Sequence, residues 1–328
     1  MRICVFGAGA VGGYLGANLA RGGADVSVVA RGTHLAAILA NGLTVESADG
    51  TVNVRIRASD DPADLGPQDA VIVTVKAPAL PVVAATIAPL LGLHTAVAFP
   101  MNGIPWWYFH AHGGRQEGRR LPRLDPGDAM WRAVGPERAI GGIFWPACSV
   151  PAPGVVRLLA GAGGGTVLGE PNGEVTPRIE ALATAFRAAD LPVTIARDIR
   201  TLIWRKLAFN LSAGPMCVLT ESAVHATHAE PALIECSRRM VAEARAVADA
   251  MGHPLDIDME QVVAGNMRLA HRPSVLQDLE AGRPMEIDAL YTVPLDMARL
   301  AGVPTPTLDL LAAMIRLRAR AAGLYPPA

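Results

Sequence analysis

The chain has 328 residues, enough for two domains, because single cores stop growing near roughly 250–300 residues. Half of it is hydrophobic, and 29 basic and 30 acidic side chains nearly cancel, leaving a net charge of −1. That balance excludes the electrostatic case for nucleic acid and gives no membrane-surface signal. The four cysteines, Cys4, Cys148, Cys217 and Cys236, form no C-x-x-C pair and no metal-ligand spacing. They read as small buried hydrophobes of a soluble, cytoplasmic protein.

The first β-prone run, Ile3 to Phe6, meets Gly7-Ala8-Gly9-Ala10-Val11-Gly12, and helix-forming residues continue to Ala20. Gly7 allows a tight turn out of the strand. Gly9 allows backbone to approach a pyrophosphate, and Gly12 allows the helix to pack closely on the sheet. A glycine-rich turn alone says little, but this one lies between a strand and a helix, with a second strand, Val26 to Ala30, at βαβ spacing. The same span, apolar apart from Asn18 and preceded by Arg2, could be a signal-peptide core. Its glycines, and the strand just beyond Asp25, argue against export.

Arg31 follows the second strand, where an NAD enzyme of this type carries an acidic residue for the ribose hydroxyl. Asp25 lies at the wrong end of that strand. A guanidinium fork suits a 2′-phosphate, so Arg31 favours NADP(H), with a solvated loop arginine as the alternative. Leu43 to Ala58 reads as two strands around the turn Asp49-Gly50. Asp69 to Lys76 is a buried parallel strand, and Lys76 at its carboxyl end faces either cofactor or substrate, or simply leaves the core. Thr95 to Phe99 is another such strand, followed by the turn dipeptide Asn102-Gly103. Trp106, Trp107, Tyr108 and Phe109 then open a long segment to Arg138, which reads as a lid, a pocket wall, an interface or a surface loop.

Beyond a strand near Ile140, Val155–Leu159 and Thr166–Leu168 read as a hairpin around a glycine-rich turn at 161–165. Pro177 to Ala189 is an amphipathic helix and Leu191 to Ile195 the last strand. After Asp198 helical patterns dominate, with breaks at Gly214-Pro215, Gly252 to Pro254, Arg272-Pro273, Arg283-Pro284 and Gly302 to Pro304. The expectation is an α/β fold: a Rossmann-type dinucleotide-binding domain over 1–198 and an all-helical substrate domain over 199–328.

Lys206 and Asn210 lie at i and i+4 on the first helix of that second part and share a face. A desolvated lysine can serve as general acid toward a carbonyl oxygen, although Lys206 taken alone reads more readily as a solvated charge beside Arg205. Ser274 and Gln277 fit a capping box. Glu286, after Pro284, sits where a helix's first turn favours a carboxylate.

Taken in order, these motifs resemble the ketopantoate reductase (2-dehydropantoate 2-reductase) family. They are the glycine loop with Arg31, Lys76, Asn102-Gly103, Trp204-x-Lys206-Leu207-x-x-Asn210, and Ser274…Gln277 leading to Glu286-Ile287-Asp288. The resemblance spans nearly the whole chain and implies NADPH-dependent reduction of a 2-oxo acid on the way to pantothenate and coenzyme A. It implies that Gly7, Ala8, Gly9, Ala10, Val11, Gly12 and Arg31 hold NADPH, and that Lys76 and Asn102 line its nicotinamide end. Lys206 would be the proton donor, with Asn102, Asn210 and Ser274 on the substrate and Glu286 beside both substrate and Lys206. The partner implied is a small 2-oxo acid, with a homodimer left open.

The chain departs from the family at Gly214, where a second asparagine is usual, and in the length of the 105–138 segment. The substrate could therefore be another 2-oxo acid or carbonyl compound. A non-catalytic NADP(H) sensor and a 3-hydroxy acid dehydrogenase of related architecture are the other readings. The sensor has no use for Lys206, Asn210 and Glu286, and Arg31 argues against the NAD preference of the other.

Overall fold

The computed structural model describes residues 1–159 and 165–326. Contacts divide the chain into two compact units. The first comprises 1–101 and 105–199; the second comprises 102–104 and 200–328.

The first unit holds twelve described strands: β1 (Arg2–Phe6), β2 (Asp25–Val29), β3 (Leu43–Ser47), β4 (Gly50–Val54), β5 (Arg57–Ser59), β6 (Gln68–Val73), β7 (Leu91–Pro100), β8 (Ala139–Phe144), β9 (Cys148–Ala152), β10 (Val155–Leu158), β11 (Thr166–Gly169) and β12 (Val193–Ile195). Its helices are α1 (Ala10–Arg21), α2 (Gly32–Asn41), α3 (Leu80–Thr86), α4 (Ala129–Ala133) and α5 (Pro177–Ala188). The main sheet has the order β12-β11-β8-β7-β6-β1-β2-β5. From β5 to β8 every pairing is parallel, and β11 then runs antiparallel to β8. The strands Ile3–Phe6, Ala70–Val73 and Ala96–Phe99 are buried along their length, as strands covered on both faces must be.

A second sheet, β4-β3-β10-β9, packs on the other side of α1. The helix is thus sandwiched, and its glycines make the fit. A Cβ at Gly16 would stand 3.3 Å from Val28, and one at Gly13 would stand 2.6 Å from Val156 of the second sheet. The turn at Asp49-Gly50 does join two antiparallel strands, with Ser47 opposite Gly50.

The hairpin expected between 155–159 and 166–168 does not form. β10 pairs with β9 and β3 in the small sheet, whereas β11 joins β8 and β12 in the large one. The real hairpin turns at Gly154 (φ +75°), between β9 and β10. Residues 161–164 of the glycine-rich turn lie outside the described residues.

The four aromatics from Trp106 are core, at most 1% exposed, which excludes an exposed lid for them. Trp107 lies over β8, where a Cβ at Gly141 would come within 2.8 Å of its indole. Trp106 meets Phe99 and Trp131 edge-on, and the Arg120 guanidinium covers Trp131 at 3.3 Å. Asp125, 3% exposed, accepts the Met130 and Trp131 N–H groups and fixes α4 beneath them.

The second unit is helical: α6 (Ile199–Thr220), α7 (Val224–Thr227), α8 (Pro231–Ala250), α9 (Met259–Asn266), α10 (Ser274–Glu280), a π turn (Asp288–Thr292), α11 (Val293–Ala301) and α12 (Pro306–Ala321). The expected break at Gly214-Pro215 is absent, and α6 runs through it. Residues 211–218 are all buried, so packing on every side outweighs the one hydrogen bond that Pro215 cannot make. α8 packs against α11 and α12. Its Glu243 carboxylate accepts the Thr307 and Leu308 N–H groups at 2.9 and 2.8 Å, closing the start of α12.

Candidate active site

In the first unit the candidate residues gather at one edge of the main sheet. β1, β2 and β6 are parallel neighbours that end at Phe6, Val29 and Val73, and Gly7–Gly12, Arg31 and Lys76 follow those three ends. Gly7 turns the chain at φ +103°. Its N–H and that of Ala8 donate to the Val29 carbonyl at 3.0 and 3.2 Å. Thr74, which the sequence did not single out, donates its hydroxyl to the Gly7 carbonyl at 2.6 Å and so fixes the loop. A Cβ at Gly12 would stand 2.0 Å from that carbonyl oxygen and 2.3 Å from Thr74 Oγ1. The close approach leaves room for hydrogen alone.

Gly9 is the opposite case: it is exposed, and a Cβ there would meet nothing within 4 Å. It caps α1, whose first turn has neither a capping side chain nor an acid. The N–H groups of that turn and the helix dipole therefore face open space, a cradle suited to a pyrophosphate. Arg31 is exposed and caps α2, its carbonyl accepting the Leu35 N–H at 3.3 Å. Lys76 is half-buried just beyond β6, which stops at Val73 rather than reaching the lysine.

In the second unit Lys206, Asn210 and Gly214 follow one another along α6, and the first two are half-buried. Burial pulls the Lys206 ammonium pKa from its ordinary 10.5 to about 8, while the Glu286 carboxylate opposes the fall. Glu286 is itself only 4% exposed. It sits one residue ahead of the helical turn rather than inside it, and its carbonyl accepts the Leu290 N–H at 3.2 Å. The π turn follows at once, and Pro294, lacking an N–H, begins the ordinary helix beyond it.

Asn102 is tied to this segment. The Ile104 N–H donates to the Ala289 carbonyl at 3.0 Å, and Gly103 takes φ +76° so close to Ala289 that a Cβ would stand 2.3 Å from its oxygen. Ser274 does not cap α10: Pro273 holds that position, no side chain caps the helix, and Gln277 Nε2 donates to the Arg272 carbonyl at 2.7 Å. Ser274 is exposed. Its neighbour Val275 lies 3.8 Å from where a Gly214 Cβ would be, which brings the start of α10 alongside the stripe on α6. The structure thus sets Lys206 and Asn210 on α6 with Glu286 acting on Lys206 and Val275, next to Ser274, beside Gly214, while Asn102 is held next to the Ala289 contact. It also places there a residue the sequence did not flag, Tyr291, whose hydroxyl stands 3.3 Å from that same Gly214 Cβ position.

A parallel sheet with an anion cradle at its first helix, and a helical unit carrying a desolvated lysine beside a buried carboxylate, define a Rossmann-type oxidoreductase with a helical second domain. Residues 3–173 match the profile of "Ketopantoate reductase PanE/ApbA", and 198–319 that of the same family's C terminal part. The chain belongs to the ketopantoate reductase family. It is 44% identical to a 2-dehydropantoate 2-reductase of Mesorhizobium japonicum, over 99% of this chain and 100% of that one. A protein of Ralstonia solanacearum MolK2, assigned as a ketopantoate reductase, superimposes with a TM-score of 0.91 at 40% identity, covering 99% of each chain. A D-mandelate dehydrogenase bound to NADH and anilino(oxo)acetate shares the fold, with a TM-score of 0.81 at 21% identity over 99% of this chain and 100% of that one.

Proposed function

We propose that this protein reduces 2-dehydropantoate (ketopantoate) to pantoate with NADPH, with Lys206 as the proton donor. The observation that carries the reading is Lys206 itself: a lysine on the Asn210 face of α6, desolvated to a pKa of about 8, with a buried carboxylate acting on it. Addition of hydride to a ketone builds negative charge on oxygen, which calls for a nearby cation able to give up its proton. An ordinary lysine holds its proton too firmly at neutral pH, and this one is tuned to release it. Asn210, Asn102 and the exposed Ser274 supply polar contacts for the substrate's oxygens.

The β1–α1 cradle fits the pyrophosphate of a dinucleotide, and Arg31 in place of an acid favours the 2′-phosphate of NADP(H). When bound, NADPH would supply the hydride. All four cysteines are free thiols, which suits the reducing cytoplasm this reading supposes.

Replacing Lys206 by Ala in the full chain tests the assignment. Reduction, followed through nicotinamide absorbance, should fall by at least about a hundredfold, while the affinity for NADPH stays within about twofold. Unchanged turnover would remove Lys206 from the chemistry. A second reading, a different 2-oxo acid, is favoured by Gly214, which leaves the stripe on α6 without a third side chain. Turnover confined to another acid in a panel that includes ketopantoate would select it.

A further inference from the structure

The place that Gly214 leaves on α6 is occupied from another direction. Lys206, Asn210 and Gly214 are spaced by four residues and advance about 12 Å along the helix axis. A Cβ at Gly214 would stand 3.3 Å from the Tyr291 hydroxyl. Glycine here is what lets the phenol tip reach the helix backbone, and a larger residue would push it away.

Tyr291 as a whole is only 4% exposed, its ring packed into the core and its hydroxyl at the α6 backbone. Its surroundings are those of the candidate site. It lies five residues beyond Glu286 in the π turn, and the Glu286 carboxylate acts on both Tyr291 and Lys206. Burial above all, then Cys217 and that carboxylate, drive the phenol well above the usual tyrosine range, which keeps its proton in place. It can donate but not ionise.

We propose that the Tyr291 hydroxyl is a substrate-binding, specificity-determining group, donating a hydrogen bond to an oxygen of the 2-oxo acid at the position that Gly214 leaves open. The inference rests on the reading of this site as a 2-oxo acid reductase. It assigns the donor role to a side chain that reaches the α6 stripe from the π turn.

The test uses Tyr291→Phe in the full-length protein, which removes the oxygen and keeps the ring. Two substrates are compared: ketopantoate, and a 2-oxo acid of the same branched carbon skeleton without the terminal hydroxyl. If Tyr291 holds that hydroxyl, KM for ketopantoate rises roughly three- to tenfold and KM for the simpler acid is unchanged. If it holds the carboxylate, KM for both rises alike. In either case kcat keeps its pH profile, because Lys206 is untouched. Adding Gly214→Asn to the Phe variant supplies an amide donor at the same place and should recover most of the loss, which a structural role for the phenol would not allow.

Unchanged KM for both acids, in a wild-type protein that turns them over, overturns the proposal and leaves the reductase reading intact. A wild-type protein that turns over no 2-oxo acid overturns the reductase reading first, and this inference with it.

Discussion

Two pressures act in opposite directions on the Lys206 ammonium. Burial favours losing the proton and Glu286 favours keeping it, with about 8 as the balance. A reductase that needs the protonated form should lose kcat/KM as pH rises through that value, tenfold per unit beyond it. Glu286→Gln removes the supporting charge while keeping the shape of the side chain. The alkaline limb should then move to lower pH, on top of any loss of rate. A limb that stays in place or moves up would mean that the carboxylate does not set the proton affinity of Lys206.

The glycines of the first βα turn separate fold from function at the level of one element. Gly9 has a negative φ and open space around it, so Gly9→Ala should fold with a thermal midpoint near that of the wild type. Its methyl group enters the cradle instead, and nucleotide affinity should drop at least about tenfold. Gly12→Ala drives a methyl into the Gly7 carbonyl and the Thr74 hydroxyl. That overlap should lower the midpoint by roughly 2–10 °C as well as weaken binding. Equal midpoints for the two variants, by calorimetry, would contradict this division.

The same element shows what a sequence discloses. The parallel strands β1, β6 and β7 were legible because burial on both faces leaves unbroken apolar runs. β10 and β11 misled, because a local turn signal says nothing about which sheet each strand will join. Pro215 misled because a helix-breaking residue was outweighed by burial on all sides. The capping role of Ser274 went to Pro273, one residue away. Lys206, Asn210 and Glu286 each had a bland local reading and were picked out only by the ordered resemblance to one family, whereas Tyr291 depends on a contact between distant parts of the chain and left no local trace.

Stability of the second unit as a whole draws on a partly buried chain of polar groups. Asn266 Nδ2 stands 3.1 Å from Ser212 Oγ and 3.0 Å from His228 Nε2, and His228 Nδ1 lies 3.2 Å from the Val224 carbonyl. This arrangement links α6, α7 and α9 and requires a neutral imidazole, with Nε2 accepting from the amide. Burial accordingly holds the His228 pKa below the ordinary 6.5. The stabilisation is complete above the unfolded-state pKa and is lost as pH falls below it, because the unfolded chain then binds more protons. His271, depressed by burial as well, adds with the same sign. The thermal midpoint should decline from about pH 7 to pH 5, and His228→Gln should flatten that decline without abolishing it. A midpoint unaffected by acid over that range would rule out the linkage.

The three residues Asn102 to Ile104 have a consequence for how such a molecule can be rebuilt. They leave the first unit after Met101, attach to Ala289 in the second, and return at Pro105, so the chain crosses the division three times. A gene cut after residue 199 would not yield two independent cassettes. The helical half would lose the clip that caps the carbonyl just behind Glu286, and the other half would carry that clip with nothing to fasten. Grafting the helical half onto a foreign nucleotide-binding domain therefore requires an Asn-Gly-Ile clip to be installed in the recipient's own loop.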